Sequence, residues 1–156
     1  MAFVDIKMAK TSDGYYDLSF EDGDLVTTEG FDTAINMSIM CERRASVSEV
    51  PAPAKRRGWW GNAYLGFANF EIGSKLWLLL QARATENTLN NAVTFAKAAL
   101  QWFVDDEYLD KVNATADYDT EGTLVLLIEL IRAQDIVLSN GYRLWGNTIE
   151  ELREEQ

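Results

Sequence analysis

From Val112 to Trp145 the chain reads as three strand-like runs separated by turns, the first of them cleanly alternating, and this pattern limits the possible folds more than any other feature. Val112, Ala114, Ala116 and Tyr118 alternate with Asn113, Thr115, Asp117 and Asp119, the period of a strand with one buried face. Asp119-Thr120-Glu121-Gly122 reads as a turn into residues 123–132, where Leu124 to Ile131 is apolar on both sides apart from Glu129. A helix competes for that run, but the turn before it and another over 133–135 favour a central strand. Residues 136–145 complete an antiparallel meander, with a bulge or irregularity predicted at Ser139-Asn140-Gly141. Thr148 and Glu151 have the spacing of a capping box, which predicts a helical turn within an acidic tail over 147–156; one domain over 1–146 precedes it.

The first thirty residues also read as β structure. Val4, Ile6 and Met8 alternate with Asp5 and Lys7, so residues 3–8 predict a half-buried strand. After a turn at Ser12-Asp13-Gly14, residues 15–20 and 25–28 supply two more strands. Glu21-Asp22-Gly23-Asp24 lies between them as a hairpin turn, since Asp-Gly tolerates the positive φ that such turns require. Asp17, Glu21, Asp22 and Asp24 invite a calcium-loop reading, but their spacing does not match the alternating ligand pattern with a distal glutamate, and a hairpin accounts for the same residues.

Helices fill the middle. Asp32 is the candidate cap of a helix running to about Arg44, with Phe31, Ala34, Ile35 and Ile39 as its apolar stripe and Arg43 and Arg44 in its last turn, where cations complement the dipole. Cys41, beside Met37 and Met40, reads as a small apolar filler. Gly73 opens a short helix with Ser74 as its cap and Leu76, Trp77, Leu79 and Leu80 as its apolar mass. The longest helix runs from about Glu86 or Leu89 to Val104. Its stripe is Leu89, Ala92, Val93, Ala96, Ala99, Leu100 and Phe103, which Phe95 and Trp102 widen beyond the needs of a lone surface helix. It reads as a core helix, or as one that also meets a neighbour. The fold class expected is α+β: an N-terminal β meander, two to three helices and a C-terminal antiparallel β meander.

Between the helices the periodicity dissolves. Ser46, Ser48, Pro51 and Pro53 predict an extended, proline-stiffened segment over 45–54. It delivers the chain into Lys55-Arg56-Arg57-Gly58-Trp59-Trp60-Gly61, after which Tyr64, Phe67 and Phe70 add aromatics without period. Five of the 14 Lys and Arg residues fall between Arg43 and Arg57. Adjacent tryptophans diverge on a strand or a helix, so one pocket rarely takes both. The glycines permit close approach of another chain, and tryptophan and arginine are enriched at the energetic centres of interfaces. Lys55, Arg56, Arg57, Gly58, Trp59, Trp60 and Gly61 are therefore the candidate protein-interface residues. A plainer reading has one indole capping the core and the arginines solvated.

Several function classes are disfavoured. A formal net charge of −11 weighs against nucleic acid and anionic lipid as partners. The basic run beside indoles leaves one narrow opening for single-stranded nucleic acid. The sequence has no histidine and one cysteine, so histidine-based nucleophile pairs, histidine metal sites and an internal disulfide are excluded. No run approaches the ~20 apolar residues of a membrane span, and the N-terminus lacks a signal-peptide layout, which predicts a soluble chain that is not secreted. A glycosidase with paired carboxylates is the enzyme alternative. With 25 acids a close pair means little, and only Glu129, in its apolar strand, has a setting that would raise a carboxyl pKa.

Gly23-Asp24-Leu25, Gly30-Phe31-Asp32-Thr33-Ala34-Ile35, Arg56-Arg57-Gly58-Trp59-Trp60-Gly61 and Ile72-Gly73-Ser74-Lys75-Leu76-Trp77-Leu78-Leu79, in that order, resemble the baseplate wedge family of Mu-like contractile-tailed phages and prophages. The helix ending in Ala99-Leu100-Gln101-Trp102-Phe103-Val104 is similar too, and beyond it the likeness weakens to general β character. Two positions depart from the pattern: Asn62 stands where an acid is expected, and Asn69-Phe70-Glu71 lengthens the approach to Ile72. The resemblance implies a structural protein of the virion, present in multiple copies and assembled in the host cytoplasm. Its implied partners are other baseplate wedge subunits, central hub and tube proteins and the tail sheath protein of the first sheath ring. It also implies a likeness to wedge proteins called lysozyme-like, a label that does not establish hydrolysis, whose sheet continues the strand-exchange mesh of the sheath. No cofactor, metal, nucleic acid or membrane is implied.

Overall fold

The computed structural model describes residues 4–66 and 70–152. Phe3, Phe67, Asn69 and the last four residues of the acidic tail lie outside the described residues. The chain divides into two compact units, Met1–Met37 and Ser38–Gln156.

The first unit is built from six short strands: β1 (Val4–Ile6), β2 (Met8–Lys10), β3 (Tyr16–Leu18), β4 (Phe20–Glu21), β5 (Asp24–Leu25) and β6 (Thr27–Glu29). They pair antiparallel as β1 with β6, β2 with β3 and β4 with β5. The single strand predicted over 3–8 is thus divided, and each half has a different partner. The division falls at a closed triangle of backbone hydrogen bonds: Lys7 N–H to Val26 O at 2.8 Å, Val26 N–H to Ser19 O at 2.9 Å and Ser19 N–H to Lys7 O at 3.0 Å. Three chain segments meet there and each satisfies the next, which no simple meander does. The Asp22-Gly23 turn takes positive φ at both residues, 51° and 84°, as its sequence predicts.

Helix α1 (Asp32–Met40) follows. Asp32 is its first residue, and the Ala34 amide is held by the Asp5 carboxylate at 2.9 Å, so the N-terminal acceptor arrives from β1. Thr33 adds a hydroxyl hydrogen bond to Ile6 O. Ile35 and Ile39 are fully buried, in line with the predicted stripe.

In the second unit the chain leaves α1 earlier than Arg44. Ser74 N–H donates to Cys41 O and Arg43 N–H to Ser74 O, both at 2.9 Å, forming a parallel bridge between Glu42 and Ser74. A remote segment takes the groups that another helical turn would have used. Arg43 and Arg44 therefore lie beyond the helix. Gly73 permits this approach: it has φ 117°, and a Cβ there would sit 2.7 Å from Cys41 O. The short helix predicted after Ser74 is a single 3-10 segment over Leu76–Leu79. Ser74 Oγ accepts from Leu76 N–H at 3.3 Å and donates to Ile39 O at 2.6 Å.

Helix α2 (Glu86–Asp105) is capped by Thr85, whose side chain accepts from Thr88 N–H, and it buries Ala92, Ala96, Ala99, Leu100 and Phe103. It packs mainly on β7 (Lys111–Tyr118), with further contact to β8 (Leu124–Arg132); β9 (Asp135–Trp145) and β10 (Thr148–Leu152) extend the antiparallel sheet in the order β10-β9-β8-β7. The register brings Ala116, Leu126 and Tyr142 into one row and Val112, Leu130 and Leu138 into another. Leu126, Ile128 and Leu130 are almost wholly buried on that face, each worth about 1.5–3 kcal/mol relative to exposure. The period-two alternation thus gives the α+β architecture its core.

Two local expectations in the sheet are corrected. The register irregularity lies where Leu130 faces Leu138 and Ile131 faces Ile136, so Val137 is the extra residue; Ser139-Asn140-Gly141 stays in register. Gly141 instead leaves room for Leu152, whose Cβ would lie 3.4 Å from a Cβ on the glycine. Thr148–Leu152 is strand β10, not a helical turn. Gly146, at φ 57°, reverses the chain so that Thr148 faces Trp145, and Glu151 comes to face Tyr142 on the core side, 9% exposed. Ladder hydrogen bonds to β9 outweigh a capping preference spread over a few residues.

Candidate functional site

The loop leaving α1 closes on itself. Ala45 N–H donates to Arg56 O at 3.0 Å and Trp59 N–H to Glu42 O at 2.7 Å, so the two ends form a neck. Beyond it the predicted extended segment is folded into turns: Val50 N–H returns to Ser46 O at 3.1 Å and Ala54 N–H to Pro51 O at 3.2 Å. This is a compact loop of the Ω type. Its first turn is closed by Glu49 Oε2, which accepts from the Ser46 amide at 2.7 Å and hydroxyl at 2.8 Å. Lys75 Nζ binds both Glu49 oxygens, at 3.0 and 2.8 Å, and pins the loop to the start of the 3-10 segment. The Lys75 ammonium, followed by the Ser46 donors, lowers the Glu49 pKa to about 2.

Inside the neck, the Arg-Arg-Gly-Trp-Trp-Gly run separates into residues that hold the loop and residues that face water. Arg57, at φ 48°, places Nη1 2.8 Å from Glu42 Oε1 and its guanidinium 5.0 Å from the centre of the Trp77 ring. Trp77 is buried and donates its indole N–H to Arg43 O at 2.8 Å. Gly58 has φ 121° and lies so close to Arg44 that a Cβ would meet the Arg44 Cβ at 3.1 Å. Trp59 is half-buried and lies over Gly61, where a Cβ would be 2.4 Å from the ring. The 3-10 segment Trp60–Tyr64 begins at that point.

Asn62 anchors the segment to the chain before Gly73. Its Nδ2 donates to Ile72 O at 2.9 Å, and its Oδ1 accepts from Ile72 N–H at 2.8 Å. Only an amide matches both backbone groups; a carboxylate would have no proton for the carbonyl. The departure from an acid at this position thus has a local physical reason.

The other half of the run is open. Trp60 is 75% exposed and Tyr64 80%, with their rings edge to face at 6.0 Å, while Trp59 and Trp60 are tilted apart at 5.9 Å. The two indoles diverge, as adjacent positions require. Arg44, Lys55 and Arg56 form no ion pair among the described residues. A recess of about 300 Å³ lies here, lined by Arg44, Arg57, Trp59, Trp60, Ala63 and Glu71. Of the predicted interface set, Arg57, Trp59 and Trp60 reach this recess with Gly58, whereas Lys55, Arg56 and Gly61 do not line it. Arg44, Asn62 and Tyr64 enter the site although they lie outside that set; the cation cluster from Arg43 to Arg57, the departure at Asn62 and the aromatics following Gly61 were their sequence signals.

The arrangement suits recognition better than bond chemistry. Burial first, and the Glu42 charge second, raise the Cys41 thiol pKa and keep it protonated. Glu129 lies on the sheet face opposite the core, in register with Asn113 and Ser139, and does not line the recess. Among the described residues no group of three His, Cys, Asp or Glu side chains is placed to hold a metal ion, and no helix is long and apolar enough to cross a membrane.

A family model described as phage protein GP46 matches residues 31–137. Baseplate protein gp46 of Escherichia phage Mu is 33% identical over 121 residues, which cover 76% of this chain and 81% of that protein. The Mu-like prophage FluMu protein gp46 of Haemophilus influenzae is 39% identical over 85 residues, covering 54% of this chain and 57% of the relative. No solved structure matches.

Proposed function

The chain belongs to the phage protein GP46 family, and from that membership we propose that it is a structural component of a contractile phage tail baseplate. In this reading it is a virion protein made in the host cytoplasm, an inner wedge subunit copied around the central hub and tube. It contacts other wedge subunits through the run Lys55, Arg56, Arg57, Gly58, Trp59, Trp60 and Gly61, in which Trp60 presents the surface and Trp59 over buried Gly61 shapes it, anchors the first ring of the tail sheath protein by strand addition, and transforms no substrate.

The observation that carries the reading is the pair of exposed rings, Trp60 and Tyr64, beside cations without ion-pair partners among the described residues. Two exposed aromatics at 75% and 80% are costly to leave in water, and aromatic residues with arginine are the types that dominate interfaces. The sheet supports the sheath contact. Its lateral strands are β7 and β10, and β7 offers eight residues without proline, a length over which an added strand can form a ladder. Exposed Leu127 lies on β8 beside β7, whereas exposed Trp145 and Leu152 lie toward the β10 edge.

Incorporation into particles is the test. Trp60→Ala leaves a folded chain, because the ring contributes little to the core, but the variant is expected to be missing from assembled baseplates. A Trp60→Ala chain that enters baseplates at the wild-type level removes the indole surface from the reading.

A further inference from the structure

We propose that the recess beside Trp60 receives the acidic hairpin tip, residues 20–24, of a second copy of this chain, so that copies join head to tail. This rests on the proposed baseplate role, which supplies the many neighbouring copies. Charge is distributed unevenly along the chain. Between Arg43 and Arg57 five cations stand against one acid, Glu49, and that acid is already bound by Lys75. Residues 1–37 carry eight acids against two lysines. A chain of net charge −11 repels its own copies, so a copy-to-copy contact has to bring unlike patches together.

The two patches also match in chemistry. At the hairpin, β4 and β5 pair Glu21 with Asp24 and Phe20 with Leu25, and the Asp22-Gly23 turn closes them. Phe20 is 66% exposed, so the tip presents one phenyl ring beside three carboxylates. The recess presents indole rings with Arg44 and the Glu42-paired Arg57 on its lining beside one acid, Glu71; Tyr64 stands edge to face with Trp60 at its margin, and Lys55 and Arg56 are close in sequence. An aromatic anchor surrounded by complementary charge is the usual form of an interface centre. The donor and acceptor patches differ, so the contact is heterologous and generates a ring where the rotation closes. Each exposed charge pair is worth little by itself, and simultaneous contacts around a ring supply the strength.

The experiment places a photo-crosslinker at the tip, Phe20→p-benzoylphenylalanine, in chain incorporated into baseplates. Irradiation is expected to give a covalent dimer of this chain with the adduct on the second copy's Trp60–Tyr64 segment. The same crosslinker in place of Tyr64 should give the reciprocal adduct on residues 20–24. Arg44→Glu with Arg56→Glu in the acceptor copy lowers the yield about tenfold or more, and Glu21→Lys with Asp22→Lys in the donor copy restores it. Assembled chain that crosslinks to a different baseplate protein, to another surface of this chain, or not at all from either position, overturns the hairpin contact and leaves the baseplate role standing. Wild-type chain absent from particles strikes at the role itself.

Discussion

Trp59 and Trp60 are neighbours in sequence with opposite situations, and Arg56 and Arg57 differ in their side-chain partners. Arg57 lies between the Glu42 carboxylate and the Trp77 face, and Trp59 lies over Gly61; Arg56 has no ion pair among the described residues, and Trp60 stands three-quarters exposed. For the indoles, one position separates a ring that shapes the loop from a ring that presents a surface; for the arginines, the guanidinium that is paired belongs to the more exposed residue, Arg57, while Arg56 is half-buried and its carbonyl helps close the neck. A motif therefore does not name a contact surface residue by residue. Its inward members set the geometry and its outward members are available to a partner.

That contrast is open to measurement, and the largest effect should come from the inward side. Trp77→Ala removes a buried ring, its indole hydrogen bond to Arg43 O and the platform under Arg57; it is expected to cost about 3–5 kcal/mol in urea unfolding. Gly61→Ala drives a methyl into the Trp59 ring and should cost about 1–3 kcal/mol, with Trp59 fluorescence shifted as the ring moves. Trp60→Ala should change stability by no more than about 0.5 kcal/mol while removing the chain from baseplates. If Trp60→Ala destabilised the fold as much as Gly61→Ala, the division into inward and outward members would fail.

The smallest effect belongs to the loop's tie to Lys75. Glu49 has a folded pKa lowered to about 2, below the ordinary glutamate value of 4.5. Its stabilising contribution is therefore present above about pH 4.5 and is lost as the pH falls from there toward about 2. Glu49→Gln should flatten that part of the stability profile and leave the profile unchanged near neutrality in shape, though lower in height. An unaltered acid limb in Glu49→Gln would show that the tie contributes nothing to folding.

The sheet and the loop also differ in how much of them the sequence disclosed. β7, β8, β9 and α2 were legible within a residue or two, because alternation and helical periodicity are local patterns reinforced over many positions. The Asp22-Gly23 turn was legible for the same reason, since its backbone demand is met by the two residues that make it. The membership in a baseplate family was legible from short motifs rather than from periodicity.

The sequence by itself determined that this chain forms an α+β fold with a one-sided C-terminal sheet, and that its two adjacent indoles face different ways. Only the tertiary structure decided that α1 stops at Met40, that Arg57 is the paired cation and that residues 148–152 join the sheet. In each of those cases the deciding group is far along the chain or across a ladder: Ser74 at the end of α1, Glu42 and Trp77 around Arg57, β9 beside β10. Local preferences of about 1 kcal/mol yield to such partners, because a backbone group left unpaired in the interior costs as much or more.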